Sequence, residues 1–179
     1  MLILVVGPSG AGKDTVLGLV RQALAGDMRF RFVRRVITRP AEAGGEDHEA
    51  VSEDAFAQRR FMLHWQAHGL RYGVPIDVMD DLSRGVVVVA NVSRGAIAVA
   101  AKQFPVRVIE VTAPPTTLIR RLTERGRESA DDVAKRLARD VPIPDDIPVD
   151  TVMNDRTPAE AAEVFMAALL RAAEPALPT

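Results

Sequence analysis

One stretch limits what this chain can become: Gly7-Pro8-Ser9-Gly10-Ala11-Gly12-Lys13-Asp14-Thr15. It follows Leu2-Ile3-Leu4-Val5-Val6, an apolar, β-branched-rich run that reads as a buried strand. It precedes the segment from Val16 to Leu24, whose apolar spacing is that of a helix packed on a sheet. Strand, glycine loop and helix in this order make G-x-x-x-x-G-K a phosphate-binding loop. Glycines let the backbone curl so that successive N–H groups converge on one anion. The helix N-terminus adds its partial positive charge, and Lys13 reaches the β- and γ-phosphates of a nucleotide. A chance glycine turn would lack these flanks.

The residue after the lysine departs from the motif. A Ser or Thr hydroxyl is expected there as a Mg²⁺ ligand, and Asp14 takes its place, with Thr15 next. A carboxylate is a hard oxygen donor suited to Mg²⁺, and it is equally at home as a charge in a helix first turn. The metal ligand is therefore expected at Asp14 or Thr15.

The 179 residues, 47% of them hydrophobic, suffice for one domain with a sizeable core. A net charge of −1 gives no global field to recruit nucleic acid or membrane, so neither is expected as a partner. The chain has no Cys, which excludes thiolate chemistry and disulfides and fits a cytoplasmic protein. No apolar run approaches the roughly 18 residues of a membrane span.

Along the chain, Arg29 to Ile37 suggests a strand, and Ser52 caps a short helix to about Arg60. Phe61 to Trp65 and Leu70 to Tyr72 read as strands around His68-Gly69, and Pro75 opens a helix to about Ser83. Gly85 to Ala90 is the clearest buried strand, ending on Asn91-Val92-Ser93-Arg94, with a helix from there to about Gln103. Val106 to Val111 is a strand, Pro114 to Glu124 and Ala130 to Asp140 are helices, Val149 to Met153 is a strand, and Thr157-Pro158 starts a last helix. Alternating strands and helices predict an α/β fold with a parallel sheet flanked by helices. A ligand should lie at the strands' carboxyl ends, which carry the glycine loop, Asn91, Thr112 and Asn154-Asp155. Residues 1–179 are thus read as one domain, with an insert over about 30–85 that breaks the alternation.

Arginines fall in two groups. Arg34, Arg35 and Arg39 lie in the insert, and Arg121, Arg125, Arg127, Arg136 and Arg139 flank an Arg-Gly-Arg break. Phosphoryl transfer needs two polyanions brought together and the migrating charge neutralised, and the arginine fork suits phosphate oxygens. Most single arginines are simply solvated, but Arg39, Arg125 and Arg127 stand beside turn residues and are expected to function. The histidines His48, His64 and His68 lack a tight metal spacing, and His68 reads as incidental.

Together, Gly7 to Thr15, Thr38-Arg39, Asp47-His48, Trp65 with Gly69-Leu70-Arg71-Tyr72-Gly73, Arg125-Gly126-Arg127-Glu128, Arg136-Leu137 and Asn154-Asp155 resemble the guanylate kinase fold family over nearly the whole chain. Within it, Lys13-Asp14, Ile37-Thr38-Arg39, His48, Ser93-Arg94 and the Arg-Gly-Arg-Glu lid are most similar to the ribose 1,5-bisphosphate phosphokinases of phosphonate breakdown. The resemblance implies ATP-dependent phosphorylation of ribose 1,5-bisphosphate to 5-phosphoribosyl 1-diphosphate, with Mg²⁺ bridging ATP oxygens. It implies that Gly7, Pro8, Ser9, Gly10, Ala11, Gly12, Lys13, Asp14, Thr15 and Asn154 bind ATP. It also implies that Arg39, His48, His64, Tyr72, Asn91, Ser93 and Arg94 hold the acceptor, and that Lys13, Arg125, Arg127 and Arg136 act on the transferring group, the lid spanning about 125–130.

Guanylate kinases place a tyrosine where His48 stands and a guanine-reading glutamate where His64 stands. Histidine cannot accept both hydrogen bonds of the guanine edge, which favours an acceptor with a second phosphate and no base. A nucleoside monophosphate kinase and a non-catalytic interaction module remain the alternatives, and an intact Lys13 loop argues against the module.

Overall fold

The computed structural model describes residues 1–41, 46–124 and 141–174. Its elements run β1 (Leu2–Val6), α1 (Lys13–Ala23), β2 (Phe30–Phe32), β3 (Val36–Ile37), β4 (Glu49–Ala50), α2 (Glu53–Ala57), β5 (Phe61–Ala67), β6 (Leu70–Pro75) and α3 (Val78–Ser83). They continue with β7 (Val87–Asn91), a 3₁₀ turn (Arg94–Ala96), α4 (Ile97–Ala101), β8 (Val106–Thr112), α5 (Pro115–Glu124), β9 (Val149–Met153) and α6 (Pro158–Ala173).

Every residue of β1 is buried because β1 has parallel partners on both sides and apolar layers on both faces. The main sheet has five strands in the order β2-β7-β1-β8-β9, all paired in parallel. Strand alternation divides the core. Ile3 and Val5 face one way with Val87, Val89, Ile109 and Val111, beneath Val16 and Val20 of α1 and Phe165 and Leu169 of α6. Leu2, Leu4 and Val6 face the other way with Val88, Ala90 and Val108.

This second layer also contains Met62, Leu63 and Val74, which come from a separate four-stranded sheet of order β4-β3-β6-β5. A shared apolar cluster thus clamps the inserted sheet to the main one. Parallel register brings Val6, Asn91, Thr112 and Met153 to the same edge, so the loops after β1, β7, β8 and β9 meet there.

Three local readings change. The single strand expected over Arg29 to Ile37 is two strands in different sheets: β2 lies on β7, whereas β3 pairs with β4 and β6. The inserted sheet therefore starts at Val36, later than the expected boundary near 30. Pro75 ends β6, opposite Phe61, and does not open α3, whose N-cap is Asp77. The helix expected after Arg94 begins as a 3₁₀ turn before α4. The helix expected over Ala130 to Asp140 lies outside the described residues. Among the described residues, no helix is long and apolar enough to cross a membrane.

The last helix opens with a complete capping box: Glu160 N–H donates to Thr157 Oγ1 at 3.2 Å, and Thr157 N–H donates to the Glu160 carboxylate at 3.1 Å. The hydrogen bond that the Glu160 carboxylate accepts from the Thr157 hydroxyl at 2.9 Å, and after it the one from Thr157 N–H, hold the Glu160 carboxyl below its ordinary value. Thr157→Ala should destabilise the protein by about 1 kcal/mol. The check is denaturant unfolding, and an unchanged midpoint would deny the box any role.

Candidate active site

The glycine loop is locked in by its neighbours. Gly7 has φ +146°, and a Cβ there would lie 1.9 Å from the Val111 carbonyl oxygen of β8. Gly12 has φ +81°, and a Cβ there would lie 2.5 Å from Asn154 Nδ2. The loop bends so sharply that α1 begins at Lys13, placing Lys13 and Asp14 in its first turn.

Asn154 lies beneath the loop and is only 2% exposed. Its backbone N–H donates to Thr112 O at 2.7 Å and its side-chain Nδ2 donates to Ala11 O at 2.8 Å, tying the end of β9 to β8 and to the loop. Its Oδ1 is buried and has no hydrogen-bond partner among the described residues. Gly10, Gly12, Thr15, Asn154 and Arg121 line a groove on this side of the loop.

The main cleft opens on the loop's other side. One wall is Gly7, Pro8, Ser9, Lys13, Asp14, Asn91, Ser93 and Arg94, and the opposite wall is Arg35, Arg39, Glu46, Trp65, His68 and Tyr72 from the insert. Lys13 Nζ donates to Gly7 O at 2.7 Å and Pro8 O at 3.1 Å. Asn91, at the end of β7, donates from Nδ2 to Asp14 Oδ1 at 3.2 Å. Arg94 is ion-paired with Glu110 of β8. Asp14 thus faces the same space as Lys13 and Asn91, whereas Thr15 faces the groove beside Asn154.

On the insert wall, Trp65 and Tyr72 are cross-strand partners on β5 and β6, stacked with centroids 5.5 Å apart and planes 7° from parallel. The Arg35 guanidinium lies 5.2 Å from the Tyr72 ring and 5.9 Å from that of Trp65, and is ion-paired with Glu46. Arg71 N–H donates to Thr38 Oγ1 at 2.9 Å, and Thr38 N–H donates to Arg71 O at 3.1 Å. These bonds fix the end of β3 and so the start of the segment carrying Arg39.

His48, only 5% exposed, has Nε2 3.1 Å from Arg39 O and Nδ1 3.0 Å from Glu46 O and 3.3 Å from Arg39 Nη2. Beside it, a 2.8 Å bond from Arg34 holds the Asp47 carboxyl below its ordinary value. This pair helps at neutral pH, and the help fades as pH falls through the depressed value. Both side chains are more than half exposed, so the contribution is small.

The expected residues Gly7, Pro8, Ser9, Lys13, Asp14, Arg39, Tyr72, Asn91, Ser93 and Arg94 therefore converge on one cleft. Gly10, Gly12, Thr15 and Asn154 line the groove behind it, and Ala11 is buried within the loop.

Two of the expected acceptor residues lie away from the cleft wall. His64 does not reach the cleft: it precedes Trp65 on β5, and alternation turns it to the outer face, beside Phe61, Arg59 and Arg60. His48 does not line the cleft wall either, because its ring is spent on the two ends of the segment from Arg39 to Glu46. The lid arginines Arg125, Arg127 and Arg136 lie outside the described residues.

Sequence reasoning undervalued Arg35 and treated His68 as incidental. His68 has φ +53° and Gly69 φ +73°, which makes the two residues the tight turn between β5 and β6 and brings His68 to the cleft rim. Glu46 was missed as a site residue, since nothing in its sequence neighbourhood points to Arg35.

Residues 3–141 match the family described as AAA domain. The chain is 49% identical over 179 residues to ribose 1,5-bisphosphate phosphokinase PhnN of Acidiphilium cryptum, which covers 99% of this chain and 97% of that protein. It is 48% identical over 176 residues to the bifunctional ribose 1,5-bisphosphokinase-thymidine phosphorylase of Azorhizobium caulinodans, covering 95% of this chain but only 25% of that longer protein. Guanylate kinase from Anaplasma phagocytophilum superposes with a TM-score of 0.68 at 19% identity, covering 96% of this chain and 85% of that one, a likeness of fold. A glycine loop facing an arginine-bearing insert, and end-to-end similarity at this level, place the chain in the ribose 1,5-bisphosphate phosphokinase family, on a fold shared with guanylate kinase.

Proposed function

We propose that the protein transfers the γ-phosphoryl group of ATP to the 1-phosphate of ribose 1,5-bisphosphate, giving 5-phosphoribosyl 1-diphosphate and ADP. The observation that carries this is the cleft itself, with Lys13 and the glycine loop on one wall and Arg35, Arg39 and Tyr72 on the other. It brings a polyanion donor and a polyanion acceptor face to face between fixed positive groups.

An oxygen of the acceptor phosphate forms the new P–O bond while the bond from the γ-phosphorus to the bridging oxygen breaks, and the leaving oxygen stays with ADP. The acceptor phosphate is already ionised at neutral pH, so no general base is required. The loop N–H groups and Lys13 hold the ATP phosphates. Arg39 meets the acceptor, with its main chain pinned through His48. Arg125, Arg127 and Arg136 are assigned the neutralisation of charge on the transferring group, and the groove beside Asn154 the adenine end of ATP.

The donor set suits Mg²⁺: Asp14 offers a hard carboxylate oxygen in the cleft and Asn91 an orienting amide. When bound there, Mg²⁺ would neutralise charge on the ATP phosphates. Asp14→Ser should therefore shift the Mg²⁺ concentration giving half-maximal rate. An unaltered Mg²⁺ titration would make Asp14 a helix N-terminal charge only. We assign the working compartment to the cytoplasm, where ATP is supplied and a chain without Cys gains nothing from oxidation.

The test is an acceptor screen at fixed ATP that follows ADP release. Ribose 1,5-bisphosphate should be used far better than GMP. A preference for GMP would assign the chain to guanylate kinase chemistry, and failure to bind ATP at all would leave only an interaction module.

A further inference from the structure

We propose that Arg35, latched by Glu46, sets acceptor choice by covering the Trp65–Tyr72 pair, so that the cleft takes a base-free sugar phosphate and turns away nucleoside monophosphates. The inference rests on the phosphokinase reading above and adds the residue that enforces it.

Two parallel aromatic rings in a phosphate-binding cleft are a stacking platform, and a nucleobase is the planar group that would use it. Here the platform is already engaged. The Arg35 guanidinium lies 5.2 Å from the Tyr72 centroid and 5.9 Å from the Trp65 centroid. Guanidinium is planar and weakly hydrated, so it competes for an aromatic face as a base would.

Glu46 keeps it there. The two side chains are ion-paired and only 12% and 14% exposed, and both line the cleft. To stack, a base must push Arg35 aside and part it from Glu46, leaving two partly buried charges without their partners. A ribose bisphosphate needs no ring face, and the same cation, with Arg39 beside it, attracts its phosphates. His64, on the outer face of β5, plays no part in this selection.

Trp65 is the only tryptophan of the chain, so its fluorescence reports on the platform directly. Wild type, Arg35→Ala, Arg35→Lys and Glu46→Gln are titrated without ATP with ribose 1,5-bisphosphate, GMP and AMP. Arg35→Ala should bind the nucleotides about tenfold more tightly than wild type, with saturable quenching of Trp65, and bind the bisphosphate about tenfold more weakly. Arg35→Lys, which keeps charge without the flat fork, should hold the bisphosphate better than Arg35→Ala does. Glu46→Gln keeps side-chain size and the Arg35 charge but loosens Arg35, so it should raise nucleotide affinity in the same direction as Arg35→Ala while holding the bisphosphate no more weakly than wild type does, and it carries the nucleotide arm of the test if that variant does not fold.

Nucleotide quenching as strong in wild type as in Arg35→Ala, or nucleotide affinity unchanged in both Arg35→Ala and Glu46→Gln, would overturn the proposal. Nucleotide binding gained by Arg35→Ala, in a protein whose wild type does not phosphorylate ribose 1,5-bisphosphate, would support the aromatic cover and overturn the phosphokinase reading instead.

Discussion

Lys13→Met should lower kcat by about 10²-fold or more while the thermal midpoint stays close to that of wild type. Lys13 is the cationic side chain in the first turn of α1, and its ammonium stands at the mouth of the loop, bonded to the carbonyls of Gly7 and Pro8. Moving to ATP phosphate oxygens, it meets the charge that builds as the γ-phosphoryl group departs. Methionine keeps the length and the packing of the stem and removes the charge together with the two bonds to the loop carbonyls. The side chain is partly buried and makes no contribution to either apolar core, so folding should not suffer. Single-turnover kinetics with saturating ATP isolates the effect, and near-normal turnover would remove the catalytic role given to the loop.

Gly7→Ala should act on both stability and binding. Its Cβ would lie 1.9 Å from the Val111 carbonyl oxygen, a backbone atom in the central part of the sheet, and φ +146° is a conformation that alanine resists. Overpacking and backbone strain together should destabilise by about 3 kcal/mol or more. For a chain of this size that is a fall of roughly 10 °C in Tm. ATP affinity should fall with it, because the loop must leave β8 to make room. Calorimetry and an ATP titration read the two effects, and a variant that keeps wild-type Tm and affinity would contradict the loop geometry.

The parts of the fold legible in the sequence are those written in local pattern. β1, the glycine loop and α1 announce themselves by a β-branched run, closely spaced glycines and a helical apolar period, and β7 by the valine run from Val86 to Val89 that leads through Ala90 to Asn91. Because parallel strands end at one edge, the position of Asn91, Ser93 and Arg94 just after an apolar strand is enough to put them at the cleft.

What depends on register was harder to read. His64 and Trp65 are neighbours in sequence and opposite in space, and only the pairing of Trp65 with Tyr72 decides which of them meets the cleft. The family resemblance puts His48 at the acceptor, whereas its ring is consumed in holding Arg39 and Glu46. Arg35 stood in view as one arginine of a group. Its importance comes from Glu46, eleven residues on, and from rings on two other strands, which no local pattern encodes.

The central claim is the identity of the acceptor, and the product reports it most directly. The protein is incubated with ATP, Mg²⁺, ribose 1,5-bisphosphate and GMP together, and the products are followed by phosphorus NMR. The account predicts a diphosphate at the sugar C1, formed in equal amount with ADP, and GMP left unconsumed. GDP accumulating while ribose 1,5-bisphosphate is unchanged would contradict it.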